Sequence, residues 1–253
     1  MKRLLIFIFS MMMALPSSFA ATITAAQDPW PPFISPDKSM PGLSVEIAVA
    51  AMKTQGYDVN FQIMPWSRAL DEVSKGRIDL LPATWYTQER TAYLLYSDSY
   101  LENELSFIKR VGDAFEFSGL NSLSGKQVGI VRGYGYGDDF LSATNFNKPD
   151  ANDLTTNLKK LQAKRIDLTL EDKLVALSTM KEAGLNSSDF QFTTASLSKN
   201  PLHVTSGKAN PNAQKYIDAY NKGLATIKAD GTFDAILAKY GIQCIFFKKR
   251  PQF

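Results

Sequence analysis

One arginine, a pair of adjacent acids and three tryptophans are the residues of this chain best suited to gripping a small molecule. Arg90 follows Thr87-Gln88-Glu89 in what reads as the first turn of a helix. The backbone dipole disfavours a cation there by about 0.3–1 kcal/mol. A bound carboxylate or phosphate reverses that sign, because it takes the guanidinium fork and the free helix N–H groups together. The alternative is an ordinary surface pairing with Glu89 or Asp98. Glu171 and Asp172 form an acidic pair at the predicted end of a strand. Either acid can hold an ammonium or satisfy a helix N-terminus, and spacing does not choose between them. Trp30, Trp66 and Trp85 all fall in predicted loops after predicted strands. Three large rings in equivalent strand-end positions point to an aromatic-walled pocket rather than to core filling. Tyr134 and Tyr136, in the glycine-rich stretch Gly133–Gly137, are placed to close it.

Other chemistry is disfavoured by composition. With one histidine, His203, and one cysteine, Cys244, there is no metal cluster at ligand spacing and no nucleophile motif near the histidine. Both read as packing residues. The Gly133–Gly137 loop lacks the lysine and hydroxyl of a phosphate-binding P-loop and the spacing of the dinucleotide fingerprint. No cofactor is expected.

These residues need elements to position them. The tetrapeptide Arg-Ile-Asp-Leu occurs at 77–80 and again at 165–168. Leu70 and Val73 precede the first copy at the same distances as Leu158 and Leu161 precede the second, which is helical spacing. The pairs Lys75-Gly76 and Ala163-Lys164 suit helix ends. A helix–turn–strand unit is therefore expected twice, with each copy of the tetrapeptide as a strand, and two α/β lobes follow. Ligands of open α/β sheets sit outside the carboxyl ends of strands, which is where Arg90 and the acidic pair stand.

The remaining elements are expected as follows. Thr22–Ala26 is a strand, 42–55 a helix and Val59–Ile63 a strand, with Ser67 capping the helix that runs to Val73. Glu104–Arg110, Phe190–Thr194 and His203–Thr205 are further strands. Helices are expected over Asn152–Gln162, Leu174–Ala183, Ala213–Lys228 and Phe233–Tyr240. Lobe one takes residues 21–110 plus 203–253 and lobe two takes 111–202. The chain then crosses between lobes twice, as hinge closure around a ligand requires.

The first twenty residues carry Lys2 and Arg3, an apolar run from Leu4 to Leu15 and small residues to Ala20. They read as a cleaved secretory signal peptide, and no cysteine follows the cut to carry a lipid anchor. Removing Lys2 and Arg3 lowers the formal net charge from +3 to +1. A near-neutral, mixed-sign surface does not suit nucleic acid, and Lys248-Lys249-Arg250 is one small basic cluster. A lone cysteine forms no intrachain disulfide, so stability rests on apolar cores. A monomer in the periplasm is the expectation.

The order of several motifs resembles that of the bacterial extracellular solute-binding proteins of family 3, the periplasmic receptors for polar amino acids that feed ABC importers. They are Trp30-Pro31-Pro32-Phe33, Gly42-Leu43-Ser44-Val45-Glu46, Gly76-Arg77-Ile78-Asp79-Leu80, Thr87-Gln88-Glu89-Arg90, the Gly125–Gly133 stretch, Asp167–Asp172, Asp230-Gly231-Thr232-Phe233 and Lys239-Tyr240-Gly241. The resemblance implies a type II periplasmic-binding-protein fold: two α/β lobes, a ligand cleft and a two-crossing hinge. It implies a small-molecule ligand and an inner-membrane ABC permease as partners. Arg90 matches the arginine that grips the ligand α-carboxylate. Asp172 resembles the acid that holds the α-amino group, which favours it over Glu171. Trp30 and Trp66 match aromatic positions that sandwich the ligand side chain. The chain departs from the family at Ala83 and Trp85, where small hydroxyl residues are usual, leaving Thr84 as the only small hydroxyl there. It departs again at Gly135, where a hydroxyl is usual in lobe two. Arg68 adds a second positive charge near the expected site. These departures leave room for a larger, flatter or more anionic ligand. Two alternative functions remain open on the same fold: a cyclohexadienyl dehydratase-like enzyme, with Glu171 or Asp172 as general acid, and a soluble ligand sensor for a membrane receptor.

Overall fold

The computed structural model describes residues 20–242. The expected signal peptide, Cys244 and the Lys248-Lys249-Arg250 cluster lie outside them, apart from Ala20. Strand β1 (Ala21–Gln27) pairs in parallel with β2 (Tyr57–Ile63), and helix α1 (Leu43–Thr54) crosses between them. One face of α1 buries Leu43, Ile47, Ala48, Ala51 and Met52, the i, i+4 stripe that an amphipathic helix needs. Helix α2 (Trp66–Ser74) then leads into β3 (Leu81–Trp85), and Leu80 bridges Ala25 of β1. Strands β4 (Leu94–Tyr96) and β5 (Leu101–Arg110) follow.

The second unit repeats the pattern. Strand β6 (Val128–Val131) is followed by the short α3 (Asp138–Ser142), β7 (Asp150–Ala151), α4 (Leu154–Gln162), β8 (Leu168–Asp172) and α5 (Lys173–Glu182). Strand β6 pairs in parallel with β7 and β8. Strand β9 (Phe190–Gly207) returns to the first unit, where α6 (Ala213–Ala229) packs on α1 and α7 (Thr232–Lys239) closes the described chain.

The hinge is built from strands. β5 and β9 pair antiparallel from Leu101↔Leu202 to Arg110↔Phe190, while Leu105–Ile108 of β5 also pair with β8. At its other end β9 pairs with β3 and β4. One ribbon therefore runs from the first unit into the second, with register shifts at Leu105/Ser106 and Ser106/Ile108. The separate strands Phe190–Thr194 and His203–Thr205 expected from the sequence are one strand. The polar stretch between them lacks an apolar alternation to announce it, yet its backbone groups find partners on β5.

In the two Arg-Ile-Asp-Leu segments the first three residues form a turn and only the leucine joins a sheet, Leu80 as a bridge to Ala25 and Leu168 as the start of β8, and they do the same work. Asp79 N–H and Leu80 N–H donate to Thr24 O; Asp167 N–H and Leu168 N–H donate to Gln127 O. The Asp79 carboxylate accepts from Thr24 N–H at 2.7 Å, and the Asp167 carboxylate accepts from Gln127 N–H at 2.7 Å. In each unit the aspartate ties the helix–strand turn to the first strand. The expected cap is not seen at Ser67: α2 begins one residue earlier, with Pro65 before it and no side-chain cap.

The equivalence extends to the helix ends, where Gly76 has φ 71° and Lys164 has φ 58°. Both close a helix in the left-handed region, where a side chain is strained by about 1–2 kcal/mol. We expect Lys164→Gly to raise stability by about 0.5–1 kcal/mol after the added unfolded-state entropy is subtracted. Gly76→Ala should lower it, since a Cβ there lies 2.9 Å from Asn210 N as well as at positive φ. Urea unfolding of the two variants checks both signs.

Candidate ligand-binding site

A small chamber lies between the two units. Trp30, Trp66, Trp85 and Arg90 line it from the first unit, and Tyr134 and Gly135 from the second. The tryptophans reach it from different elements. Trp30 sits in the tight turn after β1, its N–H donating to Ile34 O at 2.9 Å. Trp66 is the first residue of α2 and Trp85 the last of β3, so only Trp30 lies in a loop as expected. Trp30 stacks on Phe33 at 4.8 Å and meets Trp85 edge-on at 5.5 Å.

Arg90 lies in a four-residue 3-10 turn, Glu89–Ala92, instead of the longer helical turn expected. Its side chain is buried against the Trp66 face, with Cζ 5.2 Å from the ring centroid. Nη1 donates to Trp85 O at 3.0 Å and Nη2 to Gly133 O at 2.6 Å. Neither expected surface partner is used: among the described residues Arg90 makes no ion pair. Burial accordingly pulls its pKa down. A desolvated guanidinium whose contacts are carbonyls, an indole face and a tyrosine hydroxyl, with no carboxylate in an ion pair, is costly, and an anion in the chamber would offset that cost.

The lobe-two loop after β6 closes the chamber. Gly133 O also accepts from Trp66 Nε1 at 2.9 Å, and Tyr134 OH donates to Asp28 Oδ2 at 3.1 Å. Tyr134 stands edge-on to Trp66 at 5.9 Å and to Trp85 at 5.6 Å. At Gly135 a Cβ would meet Thr87 Cγ2 at 2.6 Å and Arg90 Nη1 at 3.3 Å. The hydroxyl residue usual at that position could not approach Arg90 so closely. Tyr136 stands behind the chamber, its hydroxyl accepting from Val131 N–H at 3.0 Å.

Besides Tyr136, three candidates from the sequence stand outside the chamber lining. Arg68 is exposed on α2. The Thr84 hydroxyl is buried within the sheet, 3.0 Å from that of Thr205. Asp172 caps α5, accepting from Leu174 N–H at 2.9 Å and Val175 N–H at 3.3 Å, and its other oxygen accepts from Glu104 N–H at 3.2 Å. Oδ1 is thus engaged by the helix N-terminus and Oδ2 by the hinge ribbon. Glu171, on the opposite face of β8, is buried with its carboxyl directed at the Trp30 indole, and its Oε1 accepts from Asp172 N–H at 2.9 Å. Burial pushes the Glu171 carboxyl up to about 8.

Asp28 is the acid that sequence reasoning passed over. It lies directly after β1, lines the chamber, and is only 7% exposed. Oδ1 has no partner, and burial raises its pKa to about 7. Its signal was its place between a strand end and Trp30 in Asp28-Pro29-Trp30. Gln27 also lines the chamber, but its amide is spent bridging β1 to β3 through both backbone groups of Ala83.

Residues 23–243 match the family model of the bacterial extracellular solute-binding proteins, family 3. The L-cystine-binding protein TcyJ of Escherichia coli is 25% identical over 216 residues, 83% of this chain and 79% of that protein. The solved structure of an ancestral arginine-binding protein bound to arginine is 24% identical, with a TM-score of 0.76 over 88% of this chain and 99% of that one. A histidine kinase sensor domain with similarity to periplasmic binding proteins gives a TM-score of 0.75 at 19% identity, over 89% and 98% of the two chains. The two-lobed fold is thus that of the type II periplasmic binding proteins, and the chain belongs to the bacterial extracellular solute-binding proteins, family 3.

Proposed function

We propose that this solute-binding protein captures a free amino acid in the periplasm by hinge closure, acts as a monomer, and delivers its ligand to an inner-membrane ABC permease. The observation that carries the ligand class is the buried, acid-free guanidinium of Arg90 in a chamber that also contains an unpartnered oxygen of Asp28. A ligand α-carboxylate takes the place of the Gly133 carbonyl on the guanidinium fork, and its ammonium meets Asp28. Trp30, Trp66 and Trp85 provide apolar faces for the remainder. Relatives described as binding L-cystine and arginine support an amino acid with a polar or cationic side chain. Micromolar affinity needs about −8.2 kcal/mol, within reach of one charge-assisted fork, one ammonium–carboxylate pair and the aromatic contacts.

A second reading rests on Glu171. A buried carboxyl pushed up to about 8 is protonated at neutral pH, as a general acid must be. On this reading the protein is an enzyme of the cyclohexadienyl dehydratase kind. Formation of an aromatic product from prephenate or arogenate would establish it, whereas stable binding without turnover favours the receptor. A sensor role shares the receptor's binding chemistry, and capture of a membrane kinase or chemoreceptor instead of a permease would distinguish it.

Three outcomes test the receptor reading. Arg90→Lys keeps the charge and loses the fork, so it should weaken amino-acid binding at least about tenfold, or about 1.4 kcal/mol. An amino-acid amide should bind poorly to the parent protein and lose little more in the variant. Equal loss for acid and amide in calorimetry would place the arginine away from the carboxylate.

All three tryptophans of the chain line the chamber, so a bound ligand should shift or quench most of the tryptophan emission. An unchanged spectrum during a calorimetric titration that shows binding would contradict the placement.

The third outcome concerns protons. In the closed, ligand-free protein, burial raises Asp28 from 3.8 to about 7 and Glu171 from 4.5 to about 8. Folding into this state therefore takes up protons. Its stability is greatest below about pH 4, falls as pH rises towards about 8, and levels off above that. A ligand ammonium at Asp28 favours the carboxylate and reverses this. Binding at pH 6 should release a proton, read as a dependence of the calorimetric enthalpy on the buffer's ionisation heat.

A further inference from the structure

The chamber is not the only void between the lobes. A groove of about 1660 Å³, open to solvent, adjoins it. Asp28, Trp30 and Tyr134 line both. The partition thus includes the Tyr134 side chain, pinned across the cleft to Asp28 Oδ2 by one hydrogen bond of 3.1 Å. Rotation of that ring would join the two voids. The unpartnered Oδ1 belongs to this same partition residue.

The groove has a defined chemistry. Its lobe-one side is apolar, with Pro29, Pro31, Ile63, Met64 and Pro65. Ile63 is 38% exposed. Its lobe-two side is polar, with Asn152, Thr155, Thr156 and Thr179 beside the acids Asp153 and Glu182. Lys159 is the only base there, so with Asp28 the groove carries three acids against one cation. Asp153 lies close enough to act on the Asp28 charge.

We infer that the site is bipartite, and that its preferred ligand is a short cationic peptide whose C-terminal residue fills the inner chamber while its N-terminal residue lies in the outer groove. This rests on the reading of Arg90 as the carboxylate anchor. The terminal carboxylate takes the guanidinium, and the linking amide N–H donates to Asp28 Oδ1 where a lone amino acid would place its ammonium. Tyr134 turns aside to admit the chain. The aliphatic part of the N-terminal residue lies on Ile63 and Met64, and its positive charges face Asp153 and Glu182. Amide and hydroxyl side chains along the lobe-two side suit a peptide backbone better than a bare hydrocarbon tail.

The test compares L-lysine with L-lysyl-L-lysine by calorimetry on the parent protein and on the double variant Asp153→Asn, Glu182→Gln. Asparagine preserves the cap that Asp153 gives to α4 through Thr156 N–H, and neither residue lines the inner chamber. The dipeptide should bind at least about tenfold tighter than lysine. The double variant should weaken the dipeptide about five- to tenfold, as expected for two partly exposed charge pairs, while lysine stays within about twofold. A dipeptide that binds no tighter than lysine, or that ignores the double substitution, overturns the bipartite site. If lysine still binds in either case, the amino-acid receptor reading stands. If neither ligand binds, the bipartite site falls, and the receptor reading stands or falls on arginine and L-cystine titrated in the same way.

Discussion

The arrangement depends on a buried positive charge for which the protein supplies no negative partner. Arg90 is held by two main-chain carbonyls and an indole face, and one of those carbonyls, Gly133 O, comes from the opposite lobe. The same carbonyl accepts from Trp66. Closure therefore supplies a partial negative charge to a guanidinium that has been stripped of water, and the two lobes are linked by the group a ligand would engage. A full carboxylate is a better partner than a carbonyl dipole. The Gly133 carbonyl thus stands where a carboxylate would be the stronger partner, so a carboxylate ligand can shift the population of closed molecules.

The scaffold makes this exchange workable because its moving joint is an uninterrupted ribbon. Strands β5 and β9 stay paired through both units, and β8 joins the same sheet. Bending such a ribbon changes backbone dihedrals gradually over several residues instead of at one loop, and the register shifts beside Leu105 and Ser106 are natural places for it. The repeated aspartates, Asp79 and Asp167, tie each unit internally, so the lobes can rotate as bodies while the cleft between them opens.

Elements with strong periodicity were legible in the sequence. Helices α1, α4, α5, α6 and α7 lie within a residue or two of their expected spans, because each has an apolar stripe and most end at a glycine or a left-handed turn. The duplicated tetrapeptide signalled two similar units, although its first three residues form a turn. Strand β9 was read as fragments because its middle is polar and contains Pro201, and only its partner β5 explains why it is extended. Of the residues lining the chamber, the tryptophans, Arg90 and Tyr134 stand out in the sequence by residue type and position, and Gly135 by the resemblance. Asp28 was missed because an acid before proline in a loop looks like ordinary turn chemistry. Nothing local shows that it will be buried.

The neighbouring acids Glu171 and Asp172 show why the rest needs three dimensions. Successive residues of a strand face opposite sides, so only one of the pair can look into the cleft. The strand's own ending decides which. Strand β8 stops where α5 begins, and the residue at that junction must satisfy the first free N–H groups of the helix. Asp172 occupies the junction and is consumed by it. Glu171 is thereby turned towards Trp30, Asp28 and the tyrosines, where burial favours its protonated form. An unpaired acid in such a place destabilises the closed protein whenever it ionises. That cost is relieved by a proton or by a cationic group on the ligand. The same constraint that commits Asp172 to the helix therefore leaves Glu171 as a second buried acid beside Trp30 and Asp28.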